Sequence, residues 1–275
     1  GITKADVDKQ QPTEEQYYWG VPSDFKYKTG EDWAIDTRRL MSFLHATQQE
    51  QLDQYKDRKP MEQAVCDGIS KDIETFGIIK VLREGIKVSN IKLKLWYAKP
   101  SPADAQTSWE HYAQNQFSVT RQQTYSKLTP GDEIDMVLYV NGLPLFTFEW
   151  KNPWTGQTAR YNGQKQYKED RNPKDRLLSY GRCCHFTGDK NELFFTTKLA
   201  GKDTYFMPFN QGLPNGQGAG NPVNPTATRP PISGNGCCRR TPWQTSSTNM
   251  CASTMARKTR RRRVRRRRRW LCLTS

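Results

Sequence analysis

Apolar side chains recur at helical spacing in two stretches near the start of the chain. The first stretch, residues 36–57, begins at Asp36, whose carboxylate suits the cap position before a helix. The second stretch, residues 60–75, begins with Pro60, a residue that favours the first helical turn. Each pattern predicts an amphipathic helix, because side chains three or four positions apart share one helix face. The apolar positions that carry this spacing are Leu40, Phe43, Leu44 and Leu52, then Met61, Val65 and Ile69.

From residue 91 onward, apolar side chains alternate with polar ones, which is the period of a β-strand. This pattern predicts strands over residues 91–97, 117–125, 134–140, 143–150, 183–186 and 193–199. A short helix is predicted over 105–114, and a polar helix over 157–170 separates the fourth strand from the fifth. This order predicts an α/β fold in which a mixed sheet is flanked by helices.

The third and fourth of these strands are joined by the dipeptide Asn141-Gly142. Both residue types tolerate the positive φ angles that a two-residue hairpin turn requires, so this dipeptide is a strong hairpin signal. A second turn is indicated by Gly188-Asp189, between the last two strands. The sequence therefore predicts that residues 134–150 form a tight antiparallel pair.

The formal net charge of +15 is concentrated at one end of the chain. Residues 226–275 contain 14 Lys and Arg and no Asp or Glu, whereas residues 1–225 contain 29 basic and 28 acidic side chains. The larger part is almost neutral, so net charge gives no reason to assign it to DNA binding. Apolar periodicity also ends past Pro225. We therefore expect residues 226–275 to be a disordered Arg-rich tail.

Cysteine usage and hydropathy indicate the cellular compartment. The seven cysteines include two vicinal pairs but no Cys-x-x-Cys spacing, which favours reduced thiols over disulfides or a zinc site. No stretch approaches the 18 or so apolar residues of a membrane span, and residues 1–11 are polar. We therefore expect a cytoplasmic protein that makes no contact with a membrane.

Three charged residues lie where the hairpin strands begin and end. Asp135 stands near the start of one strand, and Glu149 and Lys151 stand at the end of the next, two positions apart and therefore on one face. Two carboxylates can hold Mg²⁺, and an ammonium can orient water or stabilise the charge that develops during phosphodiester hydrolysis. The pattern alone is not specific, because charged strand ends are commonly solvated. The strongly apolar neighbours of this trio favour a site, since an unpaired charge is costly at a desolvated edge.

A longer set of motifs surrounds this trio. Residues 134–145 read IDMVLYVNGLPL and residues 148–153 read FEWKNP. The chain also carries, in order, FLHATQ at 43–48, VLREG at 81–85, QKQY at 164–167, TTKLAG at 196–201, PFN at 208–210 and GAGNP at 218–222. Over roughly residues 17–225, these motifs resemble the nuclease part of type I restriction endonuclease R subunits, members of the PD-(D/E)xK superfamily.

The resemblance implies a restriction-endonuclease-like fold and a Mg²⁺-dependent DNA endonuclease. It implies Asp135 and Glu149 as metal ligands and Lys151 as the catalytic lysine. The family's helix after this strand usually carries Gln-x-x-x-Tyr, which contributes to DNA engagement or site geometry. Tyr167 matches the tyrosine, but Gly163 stands four positions before it and Gln164 is displaced by one. Gln164 and Tyr167 are therefore further candidates for the site.

The resemblance also implies partners for the intact family enzyme. These are double-stranded DNA and the methyltransferase and specificity subunits of a type I complex, with translocation driven by ATP. The sequence contains no GxxxxGK(S/T) phosphate-binding motif, so ATP would concern the intact enzyme alone. We therefore expect the nuclease end of an R subunit, cut off before its motor.

The expected organisation is a helical lead-in over residues 1–60, a nuclease domain over 61–225 and the tail over 226–275. Two other classes of function stay open. The trio could survive as a salt-bridged strand end in a catalytically silent DNA-binding or assembly module. Alternatively, the tail could be the working part of an Arg-rich nucleic-acid-binding protein. A Mg²⁺ titration followed at the trio distinguishes the nuclease from the silent module. Deletion of the tail distinguishes both of these from the Arg-rich nucleic-acid-binding protein.

Other chemistry-bearing residues favour structural roles. No acidic partner stands at ligand or triad spacing from any of the three histidines, which are His45, His111 and His185. Cys183 and Cys184 are expected to pack as small apolar groups. Core or rim positions are expected, ahead of base-stacking roles, for Trp96, Trp109 and Trp154.

The tail has two explanations. Its arginine runs, Arg260–Arg263 and Arg265–Arg269, are typical of a basic arm that binds nucleic acid. We favour a frameshift near codon 225, because purine-rich Glu and Lys codons displaced by one base read as arginine. Synonymous codons for Thr226 to Gly236 can also be chosen so that the neighbouring frame reads GYPPAYLWER, which is similar to the family's continuation. The underlying nucleotide sequence decides between the two.

The tail generates a first prediction. Ending the chain after Pro225 should remove most non-specific DNA binding, because an arginine run neutralises phosphates and releases counterions. On duplex DNA, the logarithm of affinity should fall by about 0.9 per contacted phosphate per decade of salt, and this slope should flatten in the shortened chain. Fluorescence anisotropy with labelled duplex at several salt concentrations measures both quantities. An unchanged slope would place the electrostatic contacts in residues 1–225 instead.

Overall fold

A mixed seven-stranded sheet is the centre of the molecule in the computed structural model, which describes residues 17–209. The strands are β1 (Tyr17–Trp19), β2 (Phe25–Lys26), β3 (Ile35–Asp36), β4 (Ile86–Val88), β5 (Ile91–Leu93), β6 (Phe117–Thr124), β7 (Glu133–Val140), β8 (Leu143–Trp150), β9 (Cys184–Gly188), β10 (Leu193–Thr196) and β11 (Met207–Pro208). The main sheet has the order β1-β6-β7-β8-β9-β10-β11. β1 is parallel to β6 and β8 is parallel to β9, whereas the other neighbours are antiparallel. The expected α/β mixed sheet is confirmed.

The β7–β8 hairpin is the best-anchored pair of the sheet. Asn141 and Gly142 both have positive φ, of 49° and 78°, as the dipeptide predicts. A Cβ on Gly142 would lie 2.6 Å from the backbone nitrogen of Leu40, so glycine alone fits here. The buried Asn141 side chain accepts a hydrogen bond from the backbone nitrogen of Gln116 at 2.7 Å and donates one to the carbonyl of Leu95 at 2.9 Å. The turn is therefore held between the helix that contains Leu40 and the backbone at Leu95 and Gln116.

Four α-helices lie within residues 17–209: α1 (Thr37–Asp53), α2 (Met61–Phe76), α3 (Ile78–Glu84) and α4 (Gln106–Ala113). The predicted helices over 36–57, 60–75 and 105–114 correspond to α1, α2 and α4. Helix α3 was not predicted, because its seven residues are too few for a clear period. It lies between two glycines with positive φ, Gly77 and Gly85, which end α2 and α3.

The predicted strand over 91–97 differs from the observed one. It is limited to β5, and it pairs with β4 in a separate two-stranded sheet outside the main one. Past β5 the backbone of Lys94 is bonded instead to the side chain of Gln48, which accepts from the Lys94 nitrogen at 2.6 Å and donates to its carbonyl at 2.8 Å. A side chain of α1 thus takes the place of a neighbouring strand.

The polar helix predicted over 157–170 is present in an unusual form. It consists of two π-helical segments, Ala159–Gly163 and Gln166–Asp170, joined by a helical turn at residues 164–165. We call this element the wide helix. Such turns are rare and often occur at functional sites. The wide helix crosses the sheet on the face opposite α1 and α2.

Apolar packing is divided between the two faces of the sheet. On one face, α1, α2 and α3 cover alternate residues of the central strands, with Phe146, Phe148 and Phe186 among them. On the other face, Val137 and Tyr139 of β7 pack in a second cluster that includes Tyr167 of the wide helix. Thr147 and Glu149 of β8 point towards this second face, because side chains alternate along a strand. The site therefore forms between the sheet and the wide helix.

Some expectations lie outside the described residues. The Arg-rich tail over 226–275 is among them, and the domain boundary at residue 60 stays a prediction, although α1 packs on the same sheet as α2. None of the helices within residues 17–209 has the length and apolar character needed to cross a membrane.

The cap of α1 generates a second prediction. Asp36 is buried and its Oδ1 accepts a hydrogen bond from the Arg39 nitrogen at 3.0 Å. Burial raises the pKa of Asp36 to about 6, although Arg39 and Arg38 oppose the rise. Stability from this raised pKa is fully present below about pH 4 and is lost as pH rises through 6. Relative to Asp36→Asn, which keeps a cap, the wild-type unfolding free energy should therefore fall by roughly 1–3 kcal/mol between pH 4 and 8. Urea unfolding of both proteins measures this difference, and a constant difference would contradict the assignment.

Candidate active site

The open end of the β7–β8 hairpin brings two carboxylates together. The last pair of the register is Met136 with Phe148, one step before Asp135 and Glu149. The Asp135 carboxylate accepts a hydrogen bond from the backbone nitrogen of Trp150 at 2.7 Å. Asp135 is exposed, so its second oxygen remains available to solvent. The structure thus places Asp135 beside Glu149, as the sequence predicts.

Glu149 is the buried member of the pair, with 0% of its surface exposed. Loss of solvation raises the pKa of Glu149 to about 7; Arg171 and Lys151 lower it, and Asp135 raises it further. One oxygen, Oε2, is buried and accepts no hydrogen bond within the described part of the chain. A buried carboxylate oxygen without a donor is costly, and a bound cation would offset that cost.

Arg171 is a site residue that the sequence did not predict. Its Nη2 and Nε donate to Glu149 Oε1 at 2.7 and 3.2 Å, and its Nη2 also donates to the backbone carbonyl of Glu133. The guanidinium lies 5.7 Å from the ring centroid of Tyr125 and 3.9 Å from the Asp132 carboxylate. Arg171 therefore links the ends of β6, β7 and β8 through one buried cation. No period or motif marks it in the sequence, because it follows the polar wide helix in an ordinary charged stretch.

Lys151 lies at the mouth of the site with 12% of its side chain exposed. Its Nζ is 3.8 Å from Glu149 Oε2, the oxygen that lacks a hydrogen bond, and it donates to the side-chain oxygen of Gln166. The Lys151 backbone nitrogen donates to the Gly188 carbonyl at 2.8 Å, which joins the ends of β8 and β9. The ammonium is thus held between the carboxylate and the wide helix.

Tyr167 is buried on the second face of the sheet, below the trio. Its hydroxyl shares a hydrogen bond of 2.8 Å with the Thr147 hydroxyl, which shares another of 2.8 Å with His185 Nδ1. Burial lowers the pKa of His185 to about 3, so this imidazole is neutral, in agreement with its expected structural role. Tyr167 therefore supports the site from beneath instead of facing solvent.

Gln164, the other candidate on the wide helix, makes no hydrogen bond to the site residues. It is half-buried, and its side chain makes no hydrogen bond to another residue within 17–209. Gly163, where the family motif has glutamine, packs so closely that an added Cβ would lie 2.9 Å from the Thr187 Cβ. The glutamine that contacts Lys151 is Gln166, which was not predicted. It lies three residues after Gly163, about one helical turn further along the chain.

Most of the other residues with expected structural roles agree with the structure, and one tryptophan does not. Cys66, Cys183 and Cys184 are free and buried, as small apolar groups are. Trp96 packs edge-on against Tyr112 and Phe117. Trp154 differs, because its side chain is largely exposed.

The number of carboxylates at the candidate site is compatible with Mg²⁺. No group of three or more His, Cys, Asp or Glu side chains arranged to hold a metal occurs among residues 17–209. Mg²⁺ does not need such a cage, since it keeps several waters and binds through one or two carboxylates plus substrate phosphate oxygens. The two carboxylates that the structure brings together at this position are those of Asp135 and Glu149.

Comparison with known proteins identifies the family. A family profile described as type I restriction enzyme R protein N terminus matches residues 33–204. This match contains α1 to α4, all the site residues described above and every strand from β3 to β10. No curated protein matches the sequence.

The Glu149–Arg171 pair generates a third prediction. Arg171→Met should leave a buried carboxylate without its counter-charge and lower the unfolding free energy by about 3–5 kcal/mol at pH 8. Because the pKa of Glu149 is already raised to about 7, the loss should be smaller at pH 5, where Glu149 takes up a proton. Urea unfolding in EDTA measures both values.

Two comparisons control this measurement. The double variant Arg171→Met/Glu149→Gln should recover most of the loss, because neither charge remains. Arg160→Met removes the partner of Glu192 in a more exposed pair and should cost less than about 1 kcal/mol. Equal losses of unfolding free energy in Arg171→Met and Arg160→Met would contradict the prediction that the buried pair contributes more to stability than the exposed pair.

Proposed function

Since the chain belongs to the family of type I restriction enzyme R protein N termini, we propose that it is the Mg²⁺-dependent DNA endonuclease domain of such an R subunit. Asp135 and Glu149 hold the metal and Lys151 serves as the catalytic lysine. The observation that carries this proposal is the buried Glu149 Oε2, which lacks a hydrogen bond and lies 3.8 Å from the Lys151 ammonium. When bound, Mg²⁺ supplies charge for the scissile phosphate and lowers the pKa of an attacking water.

The chain's own residues each contribute one part. Lys151, held by Gln166, places a positive charge where the phosphate oxygens gain negative charge. Arg171 fixes Glu149 through Oε1 and leaves Oε2 directed towards Lys151. Asp135, fixed through the Trp150 nitrogen, keeps a solvent-facing oxygen. The site is therefore preorganised before substrate binds, which is what electrostatic catalysis requires.

The proposed setting follows from the family. Double-stranded DNA is the substrate, and methyltransferase and specificity subunits are the partners of the complete complex, in a prokaryotic cytoplasm. ATP belongs to the motor of an intact R subunit, since the sequence contains no GxxxxGK(S/T) motif. DNA recognition is assigned to the specificity subunit and not to residues of this chain.

One observation favours a second candidate function. Glu149 Oε1 is already neutralised by Arg171, and Lys151 already has Gln166 as a partner, as a salt-bridged strand end would. In this reading the domain is a catalytically silent DNA-binding or assembly module. A Mg²⁺ titration by isothermal calorimetry distinguishes the two, because a silent module has no site that Glu149→Gln can abolish.

The catalytic assignment is a fourth prediction. In Mg²⁺, the chain should convert supercoiled plasmid to nicked circles, and EDTA should stop this conversion. Glu149→Gln and Lys151→Ala should each lower the nicking rate by at least about 100-fold, because each removes charge used in the transition state. Agarose electrophoresis of time points measures the rates.

A matched pair of substitutions on α3 controls for general effects on charge. Glu84 and Lys80 form an exposed ion pair on the opposite face of the sheet. Glu84→Gln and Lys80→Ala should leave nicking unchanged. Wild-type nicking that persists in Glu149→Gln, or nicking that is lost equally in the α3 variants, would refute the assignment.

A further inference from the structure

Trp154 is the most exposed large apolar side chain among residues 17–209, with 88% of its surface accessible. It follows β8 in a short turn whose backbone is fixed by Asn152, which accepts a hydrogen bond from the Trp154 nitrogen through its side chain at 3.1 Å. A second bond runs from the Thr155 nitrogen to the Asn152 carbonyl at 3.0 Å. The backbone is thus held while the indole ring is presented to solvent.

A lysine accompanies this ring. The Lys190 ammonium lies 5.3 Å from the centroid of the Trp154 ring. Lys190 stands two residues after β9, in the turn where Asp189 accepts bonds from the Asn191 and Glu192 nitrogens at 2.7 and 2.9 Å. The aromatic face and the positive charge therefore come from two separate, internally bonded turns.

Both turns follow the carboxyl ends of β8 and β9, at the end of the sheet where the candidate active site lies. The bond from the Lys151 nitrogen to the Gly188 carbonyl ties the ends of β8 and β9 together. Trp154 is three residues past Lys151, so the two Cα atoms are at most about 11 Å apart. This upper limit equals roughly three base steps of 3.4 Å along a DNA strand. A strand with its phosphate at Lys151 therefore passes within reach of Trp154.

We propose that Trp154 and Lys190 form a stacking platform for an unpaired nucleobase of the DNA strand beside the cleaved bond. The proposal rests on the nuclease function proposed above and specifies how that site holds its substrate. The exposed indole stacks on the base, and Lys190 contacts a neighbouring phosphate. Stacking on an aromatic side chain accepts any base, because every base has a π-face. Such a platform fits a domain whose sequence recognition is provided elsewhere.

The first experiment locates the contact on the full chain in EDTA, where no cleavage occurs. A single-stranded oligonucleotide that contains 5-iododeoxyuridine is irradiated with the protein, and cross-linked peptides are identified by mass spectrometry. A cross-link at Trp154 is expected, with a lower yield in Lys190→Ala. Cross-links confined to other peptides, the Arg-rich tail included, would overturn the proposal.

The second experiment measures affinity for the same oligonucleotide at about 0.5 M salt. High salt weakens phosphate contacts by counterion release, so the contribution of the tail is suppressed while stacking is retained. Trp154→Ala should bind about 5- to 100-fold more weakly, the range expected for loss of one stacked base, and Trp154→Phe should retain most of the affinity. Lys190→Ala should lower the salt slope by about 0.7, the value for one phosphate of a single strand.

Phe76 provides the matched control, because it is an exposed aromatic residue with the Lys80 ammonium 4.1 Å from its ring centroid. Phe76 is the last residue of α2. Two residues later, the Ile78 nitrogen donates a hydrogen bond to the carbonyl of Gly181, which precedes β9, whereas Lys190 follows the other end of that strand. Phe76→Ala should bind like wild type. If Trp154→Ala binds within twofold of wild type, the platform is refuted and the exposed indole is left for a protein subunit. Because binding is measured without metal, a chain that cannot cleave can still pass this test, and an active nuclease can fail it.

Discussion

A one-residue shift in the pairing of β7 with β8 determines how the carboxylates meet. At the turn, Tyr139 pairs with Pro144 and Val140 with Leu143, whereas beyond the irregularity at Leu138 and Tyr139 the pairs are Leu138 with Phe146 and Met136 with Phe148. If the pairing at the turn had continued, Asp135 would oppose Phe148. The shift places it opposite Glu149 instead. Pro144, which cannot donate to the ladder, stands where bulges tolerate such a residue. The site thus depends on this register.

The same constraint places a charge where solvent cannot reach it. A buried carboxylate loses its solvation, and Arg171 restores only part of that energy through one oxygen. The pKa of Glu149 is raised to about 7 because the loss of solvation outweighs the attraction to Arg171 and Lys151. A structural ion pair would be expected to satisfy both oxygens, as bidentate arginine pairs do. Oε2 has only the Lys151 ammonium at 3.8 Å and accepts no hydrogen bond within residues 17–209, and this is the observation on which the proposed metal site rests.

Local signals in the sequence predict the longer helices and the central strands, and they place Asp135, Glu149 and Lys151 at one end of the hairpin. Asn141-Gly142 predicts the hairpin because turn chemistry is local, and alternation predicts which side chains share a face. Arg171 and Gln166 were not predictable in this way, because their partners lie 22 and 15 residues earlier and no period connects them. The π-helical form of the wide helix was missed for a related reason: its polar residues carry no apolar period from which turn width can be inferred.

The wide helix also explains how this chain departs from the family motif. Glutamine is usual four residues before the tyrosine, but here the close approach of the helix to Thr187 leaves room only for glycine at position 163. The helix can approach because Tyr167 is anchored beneath it through Thr147 and His185. With Gly163 against the sheet, the next inward polar position falls at Gln166, and this residue holds the Lys151 ammonium. The contact between the wide helix and Lys151 is thus made by a different residue, and the close packing that excludes glutamine at position 163 also brings Gln166 within reach of Lys151.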